Sequence, residues 1–280
     1  MKLEIKKAFN DVFTLRFFWI YLFIFTVLTT VSTIFNAAKA VPYNEVISNI
    51  FSIFTYVSIA YLITMVHNLL CDKNLNDEEQ TFWQNLKESF NVGVKAFVGL
   101  AINTLIVFAV DFILLASIVV VFMVAFENVT QSTIMKNAYF ITLSSIIVLI
   151  SIFALLYVFK LIPITFAQDY KIKDTFKWIK TAKIFFKKGF VKNTLLILAT
   201  YLFICLVLIV ILFGLSFLMN LLVLTFAKTL LVNHYLLVSF LFSLSGIIIP
   251  FVGSMVHFIV SAIIYNLLSQ VYKESSAIVE

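Results

Sequence analysis

The chain has very little with which to face water. Charged residues make up 12% of its 280 positions while 62% are hydrophobic, and the mean hydropathy is +1.08. So little polar residue cannot coat a soluble globule, which excludes that class and leaves an integral membrane protein. Glycine is scarce, at six residues, and no glycine-rich stretch can cradle a phosphate. Cysteine is scarcer still. Cys71 and Cys205 exclude a disulfide framework. Of the three histidines, His67 and His257 stand alone in apolar surroundings and His234 falls in a connection. None has a glutamate at metalloprotease spacing, and no serine or cysteine has a base and an orienting acid in register. No enzyme activity, cofactor or metal is therefore expected. Without a nucleotide-hydrolysing motif, uphill transport would need a partner ATPase or an ion gradient.

What is abundant is long apolar sequence. A span takes about 20 apolar residues, and six windows qualify: 17–35, 46–70, 97–126, 138–166, 193–226 and 236–270. Apolar and polar residues do not alternate at period two within them, which points to helices and not to barrel strands. The expected fold is an all-α polytopic membrane domain over residues 1–280. The basic start, the apolar run and Ala38-Lys39-Ala40 imitate a cleavable signal, but Phe17–Phe35 is long for one and Glu4 and Asp11 interrupt the basic start. Asn128-Val129-Thr130 fits a glycosylation acceptor, set aside in a chain that reads as bacterial.

The lysines are unevenly placed. Eight of them (Lys171, Lys173, Lys177, Lys180, Lys183, Lys187, Lys188 and Lys192) fall within residues 169–193 and surround Trp178. With the N-terminus and the second and fourth connections on one side, that side collects 17 of the 20 basic residues, leaving Lys39, Lys136 and Lys228 opposite. The positive-inside rule then puts both termini in the cytoplasm, against an anionic inner leaflet. In the lysine-rich stretch Ile172, Phe176, Ile179, Ala182, Phe186 and Phe190 recur every three or four residues, the pattern of an amphipathic helix in the interface. Ile5, Ala8, Phe9, Val12 and Phe13 repeat this before the first span. Phe82, Trp83, Leu86, Phe90, Val94 and Phe97 repeat it before the third.

These introductions echo one another. Leu86-Lys87-Glu88-Ser89 and Ile179-Lys180-Thr181-Ala182 are followed at equal spacing by Lys95-Ala96-Phe97-Val98 and Lys188-Gly189-Phe190-Val191. Hairpin ends echo too, His67-Asn68-Leu69-Leu70 against Tyr265-Asn266-Leu267-Leu268. Three repeats of interfacial helix plus transmembrane hairpin are expected, at residues 1–73, 77–171 and 172–273. On Thr81-Phe82-Trp83, Leu86-Lys87-Glu88-Ser89-Phe90, Lys95-Ala96-Phe97 and the Thr175–Val191 copy, the chain resembles bacterial six-helix membrane families that include the glycerophosphoryl diester phosphodiesterase membrane domain and its stand-alone relatives. The resemblance implies this architecture and a cytoplasmic-membrane address. It carries over no catalytic residue.

Two ionisable residues fall within apolar windows, Asp111 in the third and Lys160 near the end of the fourth. With His67 and His257 they are the intramembrane polar candidates, since a charge at mid-membrane costs about 3 kcal/mol on insertion scales and normally faces a bundle interior. Gly246, Pro250 and Gly253 predict a bend or break in the sixth span. Two functions fit. The first expectation is a membrane subunit of a transport or export assembly whose lysines dock a cytoplasmic ATPase or another membrane subunit. The second is a structural or lipid-associated protein whose amphipathic helices bind anionic inner-leaflet lipids. Nucleic acid is not an expected partner.

Overall fold

A computed structural model of the chain describes residues 3–37, 43–71, 81–125, 138–229 and 235–277. Lys2, Lys39, Lys73, Lys136, His234 and the Asn128 acceptor lie outside them. Among the described residues every element is helical: α1 (Ile5–Thr14), α2 (Phe18–Ala37), α3 (Asn44–Leu70), α4 (Phe82–Ala125), α5 (Ala138–Leu156), a π-helical turn (Tyr157–Leu161), α6 (Ile162–Ala167), a 3₁₀ turn (Ile172–Phe176), α7 (Trp178–Phe185), α8 (Val191–Thr229) and α9 (Tyr235–Ser276). Among the described residues six stretches are long and apolar enough to cross a membrane: Phe18–Ala37, Asn44–Leu70, Phe82–Val121, Phe140–Asp169, Val191–Met219 and Gly246–Ser276. The chain is thus an all-helical protein with six candidate membrane spans.

Local chemistry explains the breaks. Leu15 is extended (ψ 128°), and its N–H still bonds to the Val12 carbonyl, so α1 closes before α2 begins. Nothing comparable interrupts residues 82–97. The separate surface helix expected before the third span is therefore the first part of α4 itself, a single helix of 44 residues. At 1.5 Å per residue it is about 66 Å long, roughly twice the hydrocarbon thickness. The π turn has its cause in Pro163, which has no N–H to give the carbonyl of residue 159. The helix widens there, and the Ile162 N–H reaches the Tyr157 carbonyl five residues back.

Of the two outcomes expected for the sixth span, a bend or a break, the break does not occur. The helix α9 runs from Tyr235 to Ser276 with Pro250 inside it and is not broken into half-helices. Proline pushes against the carbonyl four residues earlier. That residue is Gly246, whose own lack of a side chain leaves room for adjustment. Gly253 has a packing role: a Cβ there would lie 2.9 Å from Leu212 Cδ1, so the glycine lets α8 and α9 approach closely.

The chain divides into two compact units, Met1–Val94 with Ile184–Glu280, and Lys95–Lys183. In the first unit α9 packs against α8, α2, α3 and α1, and α2 lies along α3. Tyr21 and Tyr61 stack with ring centroids 4.1 Å apart, and the Tyr21 hydroxyl donates to Asn85 Oδ1 at 2.9 Å. Phe258 packs between Phe18 and Phe25, with centroids 5.8 and 5.0 Å away. In the second unit Leu100, Val107, Val158 and Ile162 form a core joined by Ala154, Leu155, Tyr157 and Trp178. The interhelical hydroxyl bond gives a test. Tyr21→Phe keeps the stack but removes the donor, at a cost of about 1 kcal/mol. In detergent its thermal midpoint should fall by about 2–4 °C.

Candidate membrane-surface site

Residues 172–190 do not form the single amphipathic helix expected. A 3₁₀ turn covers Ile172–Phe176, the chain changes direction at Lys177, and α7 follows. Gly189 then adopts φ +96°, a conformation that glycine takes without strain, before α8 starts. The break has a local cause. Thr175 Oγ1 donates back to the Ile172 carbonyl at 2.7 Å, and short polar side chains of this kind compete with regular helix for backbone partners.

Within the second unit this segment is clamped to the hairpin that precedes it. Asn103, fully buried on α4, donates through Nδ2 to the carbonyls of Gly99 (2.7 Å) and Thr175 (3.2 Å), and its Oδ1 accepts from Trp178 Nε1 at 2.5 Å. The Tyr157 hydroxyl, in the π turn, donates to the Trp178 carbonyl. Thr165 and Thr181 pair through their hydroxyls at 2.9 Å, and Thr181 also donates to the Lys177 carbonyl. A Cβ at Gly99 would lie 2.5 Å from Thr175 Cγ2, so only glycine lets the turn come this close. Trp178, singled out for its place among the lysines, is thus a half-buried structural anchor.

Most of the expected apolar face points away from the protein, and only Phe190 of its residues is buried. Buried positions in the segment are Asp174, Thr175, Thr181, Ile184, Phe185 and Phe190, whereas Ile172, Phe176, Ile179 and Phe186 are exposed, Ile179 by 73%. Of the eight lysines, Lys171, Lys173, Lys180, Lys183, Lys188 and Lys192 are exposed and Lys177 and Lys187 are half-buried. Lys177 is committed: its ammonium meets the buried Asp174 carboxylate. That contact, assisted by Asp169, raises Lys177 above the ordinary lysine value. Lys177 therefore stays charged throughout the physiological range, and the stability tied to its raised value is lost as pH rises through that value. The other two introductions also turn large apolar residues outward. Ala8 and Val12 are buried in α1 while Ile5 and Phe9 are exposed; at the start of α4 Asn85, Ser89 and Val92 are buried while Trp83, Phe90 and Val94 are exposed.

The intramembrane polar candidates are not gathered. Asp111 is half-buried on α4 and Lys160 is buried in the π turn, both in the second unit. In the first unit His67 lies half-buried at the end of α3, beside Cys71, and His257 is exposed on α9 between the rings of Phe25 and Tyr201. Among the described residues no three His, Cys, Asp or Glu side chains could share a metal ion. Sequence reasoning missed Asn103, Thr165, Thr175 and Thr181. Asn103 and Thr165 carried a signal, since each is an uncharged polar residue in an apolar window; Thr175 and Thr181, in the connection, carried none. It also missed an open polar recess of about 330 Å³ between α2 and α3, lined by Ser32, Thr33, Asn36, Glu45, Ser48, Asn49 and Ser52.

Two outcomes test the clamp. Gly99→Val should expel the 3₁₀ turn from α4, read as faster protease nicking within residues 171–190 in detergent. Lys177→Gln strands a buried carboxylate and should lower the thermal midpoint, whereas adding Asp174→Asn to it should restore most of the loss, because a neutral amide has no countercharge to miss. No family model, curated protein or solved structure matches the chain, and the functional reading rests on these residues.

Proposed function

We propose that the chain is a non-enzymatic, lipid-associated protein of a bacterial cytoplasmic membrane, with both termini cytoplasmic, whose lysine-bearing segments embed in the inner leaflet. The observation that carries this reading is the outward display of Ile172, Phe176 and Ile179 beside Lys171, Lys173, Lys180 and Lys183. Such a face suits an interface whose anionic headgroups meet the ammonium groups and whose acyl region takes the apolar side chains. Each cation near an anionic surface contributes about 1 kcal/mol, and the apolar contribution is not screened by salt. The three-repeat architecture and the six-helix family resemblance belong to the same proposal: each repeat would bring one such segment to the surface.

The membrane-subunit reading, first in order from sequence, has one observation in its favour. The tips of Lys173, Lys180 and Lys183 stay exposed and could meet an acidic cytoplasmic partner. Lys177 no longer belongs in that set, because it serves Asp174.

The test uses the full chain in anionic bilayers, with Cys71 and Cys205 replaced by serine and a nitroxide placed at residue 179 or 180. Ile179→Cys should give a label relaxed chiefly by lipid-soluble oxygen, and Lys180→Cys one relaxed chiefly by a water-soluble nickel complex. If both labels report water, embedding fails and partner docking becomes the better account. Replacing Lys173, Lys180 and Lys183 by glutamine should then release a co-purifying protein.

A further inference from the structure

A small cavity of about 140 Å³ opens in the first unit where α1 and the ends of α3 and α9 meet, lined by Lys7, Asp11, Leu69, Asn266, Ser269, Gln270 and Lys273. Hydrogen bonding settles which way its amides point. The Glu4 main-chain N–H can only donate, and it donates to Gln270 Oε1 at 3.1 Å. The other Gln270 amide atom is therefore Nε2, a donor, and it reaches Asn266 Oδ1 at 3.2 Å. That leaves the Asn266 NH₂ group as a donor. Asn266 is 1% exposed, and its Nδ2 has no hydrogen-bond partner among the described residues.

A buried NH₂ without an acceptor costs about 1–3 kcal/mol, so such groups normally face something that accepts. Asn266 lines a cavity that also has two lysines in its wall. Donors and cations together select an anion. At about 30 Å³ per water, the space holds a few waters or one phosphate group, and whatever else is attached to that group stays outside. The acids limit the charge it can accept: Glu4 pairs with Lys7 at 3.4 Å, and Asp11 lies in the wall itself. A singly charged phosphodiester fits this balance better than a doubly charged free phosphate. Leu69 gives the cavity an apolar side, and α1, which contributes Lys7 and Asp11, turns Ile5 and Phe9 outward.

We infer that this cavity binds the phosphodiester of a membrane lipid, with Lys273, Lys7 and Asn266 Nδ2 as its donors and the acyl chains outside along the apolar surface. The site ties α1 to the ends of α3 and α9 through the headgroup. It relies on the bilayer setting of the proposed function but not on embedding of residues 172–186, so either can fail alone.

The experiment uses the full chain, delipidated in a sugar-based detergent and phosphate-free buffer, with thermal unfolding followed as each additive is titrated. Short-chain phosphatidylglycerol should raise the midpoint saturably, whereas the matching diacylglycerol and inorganic phosphate at equal concentration should not. Lys273→Gln should weaken the apparent affinity for the phospholipid by about tenfold, and Asn266→Asp, which puts an acceptor where the donor was, should abolish the shift. Should Asn266→Asp not fold, Lys273→Gln and Lys7→Gln still decide, because both positions are at the cavity edge. An equal shift from diacylglycerol would overturn phosphate recognition, and an equal shift from inorganic phosphate would overturn the lipid assignment. An undiminished phospholipid response in both lysine variants would mean that the cavity holds only water.

Discussion

Apolar side chains gain almost nothing by leaving lipid tails for a protein interior that is equally apolar, and the other contacts in this chain follow from that constraint. Helices must instead be joined by what lipid cannot offer. In the first unit these are the Tyr21 hydroxyl on Asn85 and the serines of the first hairpin, where Ser32 Oγ meets Ser52 Oγ at 2.7 Å and Ser48 Oγ donates to the Ser32 carbonyl at 2.9 Å. In the second unit they are the bonds around Asn103. Glycine does the same work by subtraction, at Gly99 against Thr175 and at Gly253 against Leu212.

The constraint also accounts for the outward apolar faces. In water a helix buries its largest apolar residues; next to lipid those residues can stay outside, and the small or hydrogen-bonding ones go inward. Phe9, Trp83, Phe90 and Ile179 are out, while Ala8, Ser89, Thr175 and Thr181 are in. The apolar stripes that periodicity finds are real. Their direction depends on the solvent, which periodicity does not report.

This separates what could be read in the chain from what could not. Six apolar runs mark six candidate spans because length and hydropathy are local properties, and their helical nature follows from the missing alternation. The continuity of α4 was hidden because an amphipathic start and an apolar continuation look like two elements, although no breaker lies between them. The docking of the lysine-rich segment depends on Asn103, some seventy positions earlier, which no local window contains. Pro250 lies within a continuous helix with Gly246 beneath it, and Pro163, which nothing in the local pattern singled out, sits just past a π turn. The cavity beside Asn266 was beyond reach for the same reason as the clamp, since its walls come from opposite ends of the chain.

The π turn at Tyr157–Leu161 also sets a phase. A π turn holds one residue more than the α-helical turn it replaces, and each residue of an α-helix advances the facing direction by about 100°. Everything after Leu161 is therefore rotated by that amount relative to a plain continuation of α5, and this is the setting in which Thr165 meets Thr181. The short helix Ile162–Ala167 is buried along its whole length. A chain with one residue fewer between Leu156 and Pro163 would keep its hydropathy, its span and its lysines, yet would present a different side of that helix to the segment that follows.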